Sequence, residues 1–348
     1  MSQSSPNYVG IDVHKSSSSI CVMSPDGTVI FETTCATEPG RLITVLKTVA
    51  DPKDVVLEET TIADFLYREL RPHVHRAVVC DPRHNAYISE DENLNDQTAA
   101  YKLAYLLRLN CIKPVHHPLS DARAEFKRVV LFRNDAASEL AASRNRLKAL
   151  FTSCLIPCEG TAIYAKKYRE DWLTRLPKSG PRFRAQELYR RIDDGVAEVA
   201  RIDSEVTRQA RQFPEIKLFR QLPAIGLVRA ATWFAIIDTP ERFVNRGHLW
   251  AYCGIGLASR RSAGHQGPEH LNHNGNPALK NLLKSAAVAA INKGDHNRFQ
   301  RQYEQSIAER REPALARLTV ARSMATTMCT MWLTGEDYQD DYQPKPLR

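Results

Sequence analysis

Tyr8-Val9-Gly10-Ile11-Asp12-Val13 places a single carboxylate inside an apolar run. Apolar residues alternate around Asp12, which is the pattern of a buried strand. A carboxylate held there needs a partner, because an unpaired charge away from water is costly. A metal ion is one partner that suits Asp12, and backbone amides at a strand end are the other. The chain continues past Ser16 to Ser19 into Ile20-Cys21-Val22-Met23, turns at Ser24-Pro25-Asp26-Gly27 and resumes at Thr28-Val29-Ile30-Phe31. Pro and Gly in the turn make this opening an antiparallel meander.

Leu42, Val45, Leu46 and Val49 then recur at helical spacing, and Val55-Val56-Leu57 leads into Glu58-Glu59, a second carboxylate at a strand end. Ile62, Phe65, Leu66 and Leu70 share one helical face, with Thr60 or Thr61 as cap, before the buried strand Ala77-Val78-Val79-Cys80. Strand, helix, strand is the parallel half of a sheet. A helix from Asp96 to about Leu109 carries Ala99, Leu103, Leu106 and Leu107 as its stripe. Asp96 in its first turn suits the helix dipole and would serve as a plain cap. Three antiparallel strands followed by alternating helices and parallel strands are the layout of an RNase H-like α/β domain. Carboxylates from separate elements can there converge on Mg²⁺, which takes oxygen ligands and can steady the oxygens of a phosphodiester.

At 348 residues the chain has room for two domains or more, with 43% apolar residues to build their cores. Lys plus Arg number 48 against 40 acids, and a pI near 9.1 favours a polyanion as partner. Eight scattered cysteines without a CxxC repeat suit free thiols in a reducing cytoplasm. The opening Met1-Ser2-Gln3-Ser4-Ser5-Pro6 has no signal pattern and no apolar run reaches membrane-spanning length, so a soluble, cytoplasmic protein is expected.

Beyond His116-His117-Pro118, helical periodicity runs from Asp121 to about Phe151 without Gly or Pro. Lys166, Lys167, Arg169, Arg175, Lys178, Arg182, Arg184, Arg190 and Arg191 follow, with Tyr168, Trp172, Phe183 and Tyr189 among them. That mixture suits phosphate contact with base stacking, or else a solvated charged face. Ala185, Leu188, Ile192, Gly195, Val199, Ile202 and Val206 form a heptad seam, so the middle is expected to be a coiled coil. Its partner is either the Asp121 to Phe151 helix or another protomer. Phe213-Pro214 ends that helix, and Leu222-Pro223-Ala224-Ile225-Gly226-Leu227 has the shape of a turn between helices whose second N-terminus can hold a phosphate. Ser262, in Ser259-Arg260-Arg261-Ser262-Ala263-Gly264-His265, could be a nucleophile whose oxyanion Arg260 and Arg261 hold, or a simple loop serine. Cys253, His265, His270 and His273 offer a weaker metal constellation in a Gly- and Asn-rich stretch. Helices are expected at Pro277 to Ile291 and about Pro313 to Leu333, with a disordered acidic end from Gly335.

Gly10-Ile11-Asp12-Val13-His14-Lys15, Val56-Leu57-Glu58-Glu59-Thr60, and Asp96 with Lys102-Leu103-Ala104 resemble, in order, the acidic motifs of the DEDD-type insertion-sequence transposases, relatives of the pilin-gene invertases. Leu222-Pro223-Ala224-Ile225-Gly226, Tyr252-Cys253-Gly254-Ile255, Ser262-Ala263-Gly264 and Gly275-Asn276-Pro277-Ala278-Leu279-Lys280 resemble motifs of the family's C-terminal domain. The resemblance implies a RuvC-like domain over 7–120, a helical coiled-coil region with the basic stretch over 121–213, a mostly helical serine transposase domain over 214–310, and a C-terminal helix and tail over 311–348. It implies that Asp12, Glu58 and Asp96 bind Mg²⁺ and that Ser262 attacks DNA to give a phosphoserine link. Lys166, Lys167, Arg169, Arg182, Arg184, Arg260 and Arg261 would contact nucleic acid. The implied partners are double-stranded DNA, a structured noncoding guide RNA and further copies of the chain, as dimer or tetramer, in a nucleoid-associated setting.

The sequence departs from the family at three places. A second Asp is usual three residues after the first in the third motif, where Ala99 stands; Leu257 replaces a usual proline; and Ala263 separates Ser262 from Gly264. A catalytically impaired DNA- or RNA-binding relative is therefore the alternative, since loss of one ligand weakens a divalent site. An actin-like kinase shares an Asp-bearing first hairpin but lacks here a second glycine-rich phosphate hairpin.

Overall fold

In a computed structural model the described residues are 5–81, 96–177, 179–258, 261–262, 265–266, 270–271 and 274–341. The chain divides into two compact units, Met1–His117 and Pro118–Arg348.

The first unit is built on a five-stranded sheet. Strands β1 (Asn7–Val13), β2 (Ser17–Met23) and β3 (Val29–Ala36) form the antiparallel meander, turning at Gly27. Helix α1 (Pro39–Lys47) leads to β4 (Lys53–Glu58), and α2 (Ala63–Leu70) to β5 (Arg76–Cys80). The strand order is β3-β2-β1-β4-β5, with β4 parallel to both β1 and β5. One face, with Val9, Ile11, Val55 and Leu57, buries Leu42, Leu46, Leu66 and Leu70 of α1 and α2.

Helix α3 (Asp96–Arg108) covers the other face. Its Leu103 and Leu107 pack on Val56, Val78 and Cys80, while Ala100 and Ala104 pack on Cys21 and Met23. A strand glycine often marks close backbone approach. At Gly10 a Cβ would stand 2.1 Å from the Ala100 carbonyl oxygen and 2.5 Å from the Ala104 nitrogen, so only glycine admits α3 this near to β1.

In the second unit, α4 (Asp121–Ser153), capped by the Ser120 hydroxyl, is followed by α5 (Arg169–Arg175) and α6 (Gly180–Ala210). Gly195 of α6 meets Leu140 of α4, and Arg133 bonds Asp203 at 2.8 Å, so the two long helices run antiparallel. The α6 seam thus has its partner within the chain: Leu188 and Ile192 join Leu140, Leu147 and Phe151 in one core. Toward the other end, Phe126, Val130 and Ala136 of α4 and Ile202 and Val206 of α6 enter a larger core. That core also takes in α7 (Pro214–Phe219), α8 (Leu227–Ile237), α9 (Arg246–Tyr252), α10 (Pro277–Ile291), α11 (Arg298–Ala308) and α12 (Pro313–Thr334). Between α9 and α10 the described residues include the two-residue strands β6 (Leu257–Ala258), β7 (Arg261–Ser262), β8 (His265–Gln266) and β9 (His270–Leu271), with β6 pairing β9 and β7 pairing β8. Past α12, Asp340 accepts from the Arg298 amide at 2.9 Å and Tyr338 stacks on Phe299, which ties residues 335–341 to α11. Among the described residues no helix is long and apolar enough to cross a membrane.

Candidate active site

Asp12 is the sixth residue of β1, two on from Gly10, so the period-two alternation of a strand puts it on the α3 face. It is buried, at 8% exposure. Glu58 ends β4, two on from Val56, on the same face. The parallel register pairs Ile11 with Leu57, which sets Asp12 and Glu58 side by side at the carboxyl ends of adjacent strands. Their charges interact: burial first, and the Asp12 carboxylate second, push the Glu58 carboxyl above its ordinary value. His14 opposes this, and its Nε2 lies 3.2 Å from Asp12 Oδ2.

Helix α3 brings its N-terminus to this same end. Ala100 and Ala104 cross Gly10, whereas Arg108 reaches Gly27, in the turn beyond Met23, the residue that pairs with Tyr8 near the start of β1. The helix therefore runs opposite to β1. Asp96, one turn before Ala100, stands at the end where Asp12 and Glu58 lie, and its side chain is outside the described residues. The helix N-terminus adds a positive dipole to a place where two carboxylates meet. Ala99, 6% exposed, fills the next turn of α3 with a methyl group. Glu92, a candidate substitute for the missing acid, is outside the described residues.

Two close carboxylates, one of them protonated more readily than usual, are what a hard divalent cation would relieve, and oxygen donors are the set Mg²⁺ prefers. Among the described residues no cluster of three His, Cys, Asp or Glu side chains stands ready to hold a metal. With the Asp96 side chain outside that set, Asp12 and Glu58 are the donors whose placement is seen.

In the second unit Ser262 lies on β7, paired with His265 on β8, and neither side chain is among those described. The base of this excursion is a glycine crossing. A Cβ on Gly275 would be 2.2 Å from the Gly254 Cα, and Gly254 itself has φ +66°. The Asn276 amide donates to Tyr252 at 2.7 Å, and the Asn276 side chain caps α10 by accepting from Ala278 and Leu279. Tyr252-Cys253-Gly254-Ile255 and Gly275-Asn276-Pro277, well apart in sequence, are thus one structural joint. Ser259, Arg260 and His273 are outside the described residues, as is the Arg261 side chain. Cys253 is part of the core, and burial pushes its thiol well above the ordinary value.

The basic stretch separates into two sorts of residue. Arg169 makes a two-pronged pair with Asp193, at 2.6 and 2.7 Å, and stacks on Tyr189. Arg182 donates from Nε to the Leu173 carbonyl at 3.1 Å. Trp172 and Tyr189 are buried in the core between α4 and α6. Lys166 is exposed, 3.8 Å from Asp193; Lys167 lies over the exposed Tyr168 ring; and Arg184 makes no hydrogen bond or ion pair among the described residues. Phe183, 66% exposed, stands beside Arg184 in sequence. Sequence reading missed the structural duty of Arg169, which nothing in a run of arginines distinguishes. It also missed Gly10, Gly254 and Gly275, although glycine inside an apolar pattern is a signal of close approach.

Comparison with known families finds matches in both units. A model of the IS110 DEDD type, described as Transposase, matches residues 9–156, and one described as Transposase IS116/IS110/IS902 family matches residues 216–304. A comparison with curated proteins gives no match. Domains of the DEDD transposase type are typically dependent on a divalent metal. With the first model spanning the acidic strands and the second the joint that carries Ser262, the chain belongs to the IS110-type transposases.

Proposed function

We propose that this transposase moves an insertion sequence by attack of Ser262 on a DNA phosphodiester, assisted by Mg²⁺ held in an RNase H-like, RuvC-like first unit. The observation that carries the reading is the adjacency of Asp12 and Glu58 at one sheet end, with the α3 N-terminus directed there. Asp12, Glu58 and Asp96 would hold the ion. Mg²⁺, when bound, supplies charge stabilisation for phosphoryl oxygens. In the reaction the Ser262 Oγ–P bond forms and one sugar O–P bond breaks. The serine proton leaves to solvent and the freed sugar oxygen takes up a proton, giving a phosphoserine link and a strand end. Arg260 and Arg261 are placed by sequence to balance charge on the phosphoryl oxygens.

Lys166, Lys167 and Arg184 would contact DNA or RNA backbone, with Tyr168 and Phe183 available for stacking. Arg169 and Arg182 also belong to that basic surface, but their bonds to Asp193 and Leu173 make them supports of its shape. Guidance by a structured noncoding RNA, assembly as a dimer or tetramer, and a nucleoid-associated cytoplasmic setting are parts of the same proposal. One observation favours a second reading: buried Ala99 removes a carboxylate from the α3 face, which suits a relative that binds nucleic acid with little or no cleavage. Trapping protein–DNA adducts tests the first reading. The adduct is expected to vanish in Ser262→Ala and persist in Ser259→Ala; the reverse pattern moves the nucleophile.

A further inference from the structure

Beside the joint that carries Ser262 is a cavity of about 380 Å³ between α10 and α12, within the range of small-ligand sites. Its walls are aliphatic: Ile255, Leu257, Val288, Leu315 and Leu318. Leu257, Val288 and Leu315 are 43%, 42% and 52% exposed, so the apolar surface opens to solvent. Gly254 and Ala314 also line it, together with Lys280, Lys284 and Arg317; among the described residues no carboxylate lines the cavity and none of the three cations makes an ion pair or hydrogen bond. Three unneutralised cations around an apolar hollow match a ligand with a face that can be buried among aliphatic side chains and anionic groups beside it.

We propose that this cavity receives one unstacked nucleobase of the DNA strand, with the flanking phosphates on Lys280, Lys284 and Arg317. Proteins that take a base out of a duplex hold it between apolar or aromatic side chains, and cations fix the backbone on either side. The placement fits the chemistry. Leu257 lines the cavity and begins the excursion that reaches Ser262 five residues later, and Lys280 belongs to α10, whose cap Asn276 is hydrogen-bonded to Tyr252. A base drawn out here would bend and anchor the strand at the joint between Gly254 and Gly275. A second copy of the chain is the poorer occupant, because a self-complementary interface would bring like charges together. The proposal rests on the transposase reading and adds to it a site that grips the strand.

The test uses the full-length protein and Ala314→Leu, which fills the cavity from an exposed position, together with Lys284→Gln. The probes are two DNA duplexes that differ at one unpaired position, which holds either 2-aminopurine or an abasic sugar. Thermal melting confirms that both variants fold. The native protein is expected to bind the 2-aminopurine duplex about tenfold more tightly than the abasic one, with a rise in fluorescence on binding. Ala314→Leu is expected to abolish that preference while fully paired duplex still binds, and Lys284→Gln to weaken both duplexes. Equal affinity for the two duplexes, or a preference kept in Ala314→Leu, overturns the base site. A change of oligomeric state in Ala314→Leu without a change in base preference assigns the cavity to a contact between copies and likewise overturns it. Absence of binding to any DNA overturns the transposase reading itself, which is a different failure.

Discussion

Gly10→Ala is the smallest change that separates the acidic residues without touching one. The added Cβ would meet the Ala100 oxygen at 2.1 Å and the Ala104 nitrogen at 2.5 Å, both backbone atoms that no rotamer change can move aside. To restore ordinary contact, α3 must retreat from β1 by at least about 1.3 Å. Overpacking of this kind costs about 1–3 kcal/mol, and in a unit of this size that corresponds to a fall in Tm of roughly 5–15 °C. The effect on chemistry exceeds the effect on folding, because Asp96 rides on α3 and a 1 Å misplacement costs about a hundredfold in rate. The assay is a melting curve and strand cleavage measured on the same preparation at a temperature where both proteins are folded. Gly40→Ala is the control, since no atom lies within 4 Å of its added Cβ. If Gly10→Ala melts and cleaves like the native protein, α3 is not seated on β1 through Gly10 and the convergence of the three acids is wrong.

Glu58 is protonated more readily in the native state than when unfolded, so the stability it confers is full below the ordinary carboxylate range and is lost as pH rises through its raised native value. Glu58→Gln should therefore raise Tm at pH 7 and leave it nearly unchanged at pH 4, and Mg²⁺ should raise the native Tm at pH 7 more than that of the variant, as read by calorimetry. Arg169→Ala should destabilise by about 1–2 kcal/mol through loss of its pair with Asp193, whereas Arg184→Ala should leave Tm in place and reduce the salt dependence of DNA binding. Gly275→Ala should force Gly254 away and abolish adduct formation at Ser262 while DNA binding persists, measured by gel shift and adduct trapping together.

The first unit was legible because its signals are local and its faces alternate. Tyr8 to Val13 carries the strand period, Ile20 to Met23 and Val55 to Leu57 are short apolar runs of the kind buried on both faces, and Asp12 and Glu58 are conspicuous as carboxylates among apolar residues. The antiparallel direction of α3 was not legible, since a helical stripe names the buried face and not the direction in which the helix crosses the sheet. That fact required Gly10 at one crossing and Gly27 at the next. The α6 seam was visible in its spacing, but its packing on α4 is seen only in tertiary pairs such as Gly195 with Leu140 and Arg133 with Asp203. Composition presented the acidic end as disordered, yet Tyr338 and Asp340 find specific partners on α11. The joint beneath Ser262 was hidden for the same reason, because Gly254 and Gly275 touch across a stretch of sequence that spacing cannot fold.

Whether a metal centre that has Ala99 in place of a carboxylate still supports cleavage is the point on which the account turns, and strand cleavage against Mg²⁺ concentration answers it. Native protein, Ala99→Asp and Asp12→Asn would be compared on the element's own end and target with its flanking transcript. Weak cleavage by the native protein that rises with Mg²⁺, stronger cleavage at lower Mg²⁺ in Ala99→Asp, and none in Asp12→Asn are expected. Absence of cleavage in both native protein and Ala99→Asp at every Mg²⁺ level, with fold and nucleic-acid binding intact, would contradict metal-assisted cleavage and leave a chain that binds without cutting.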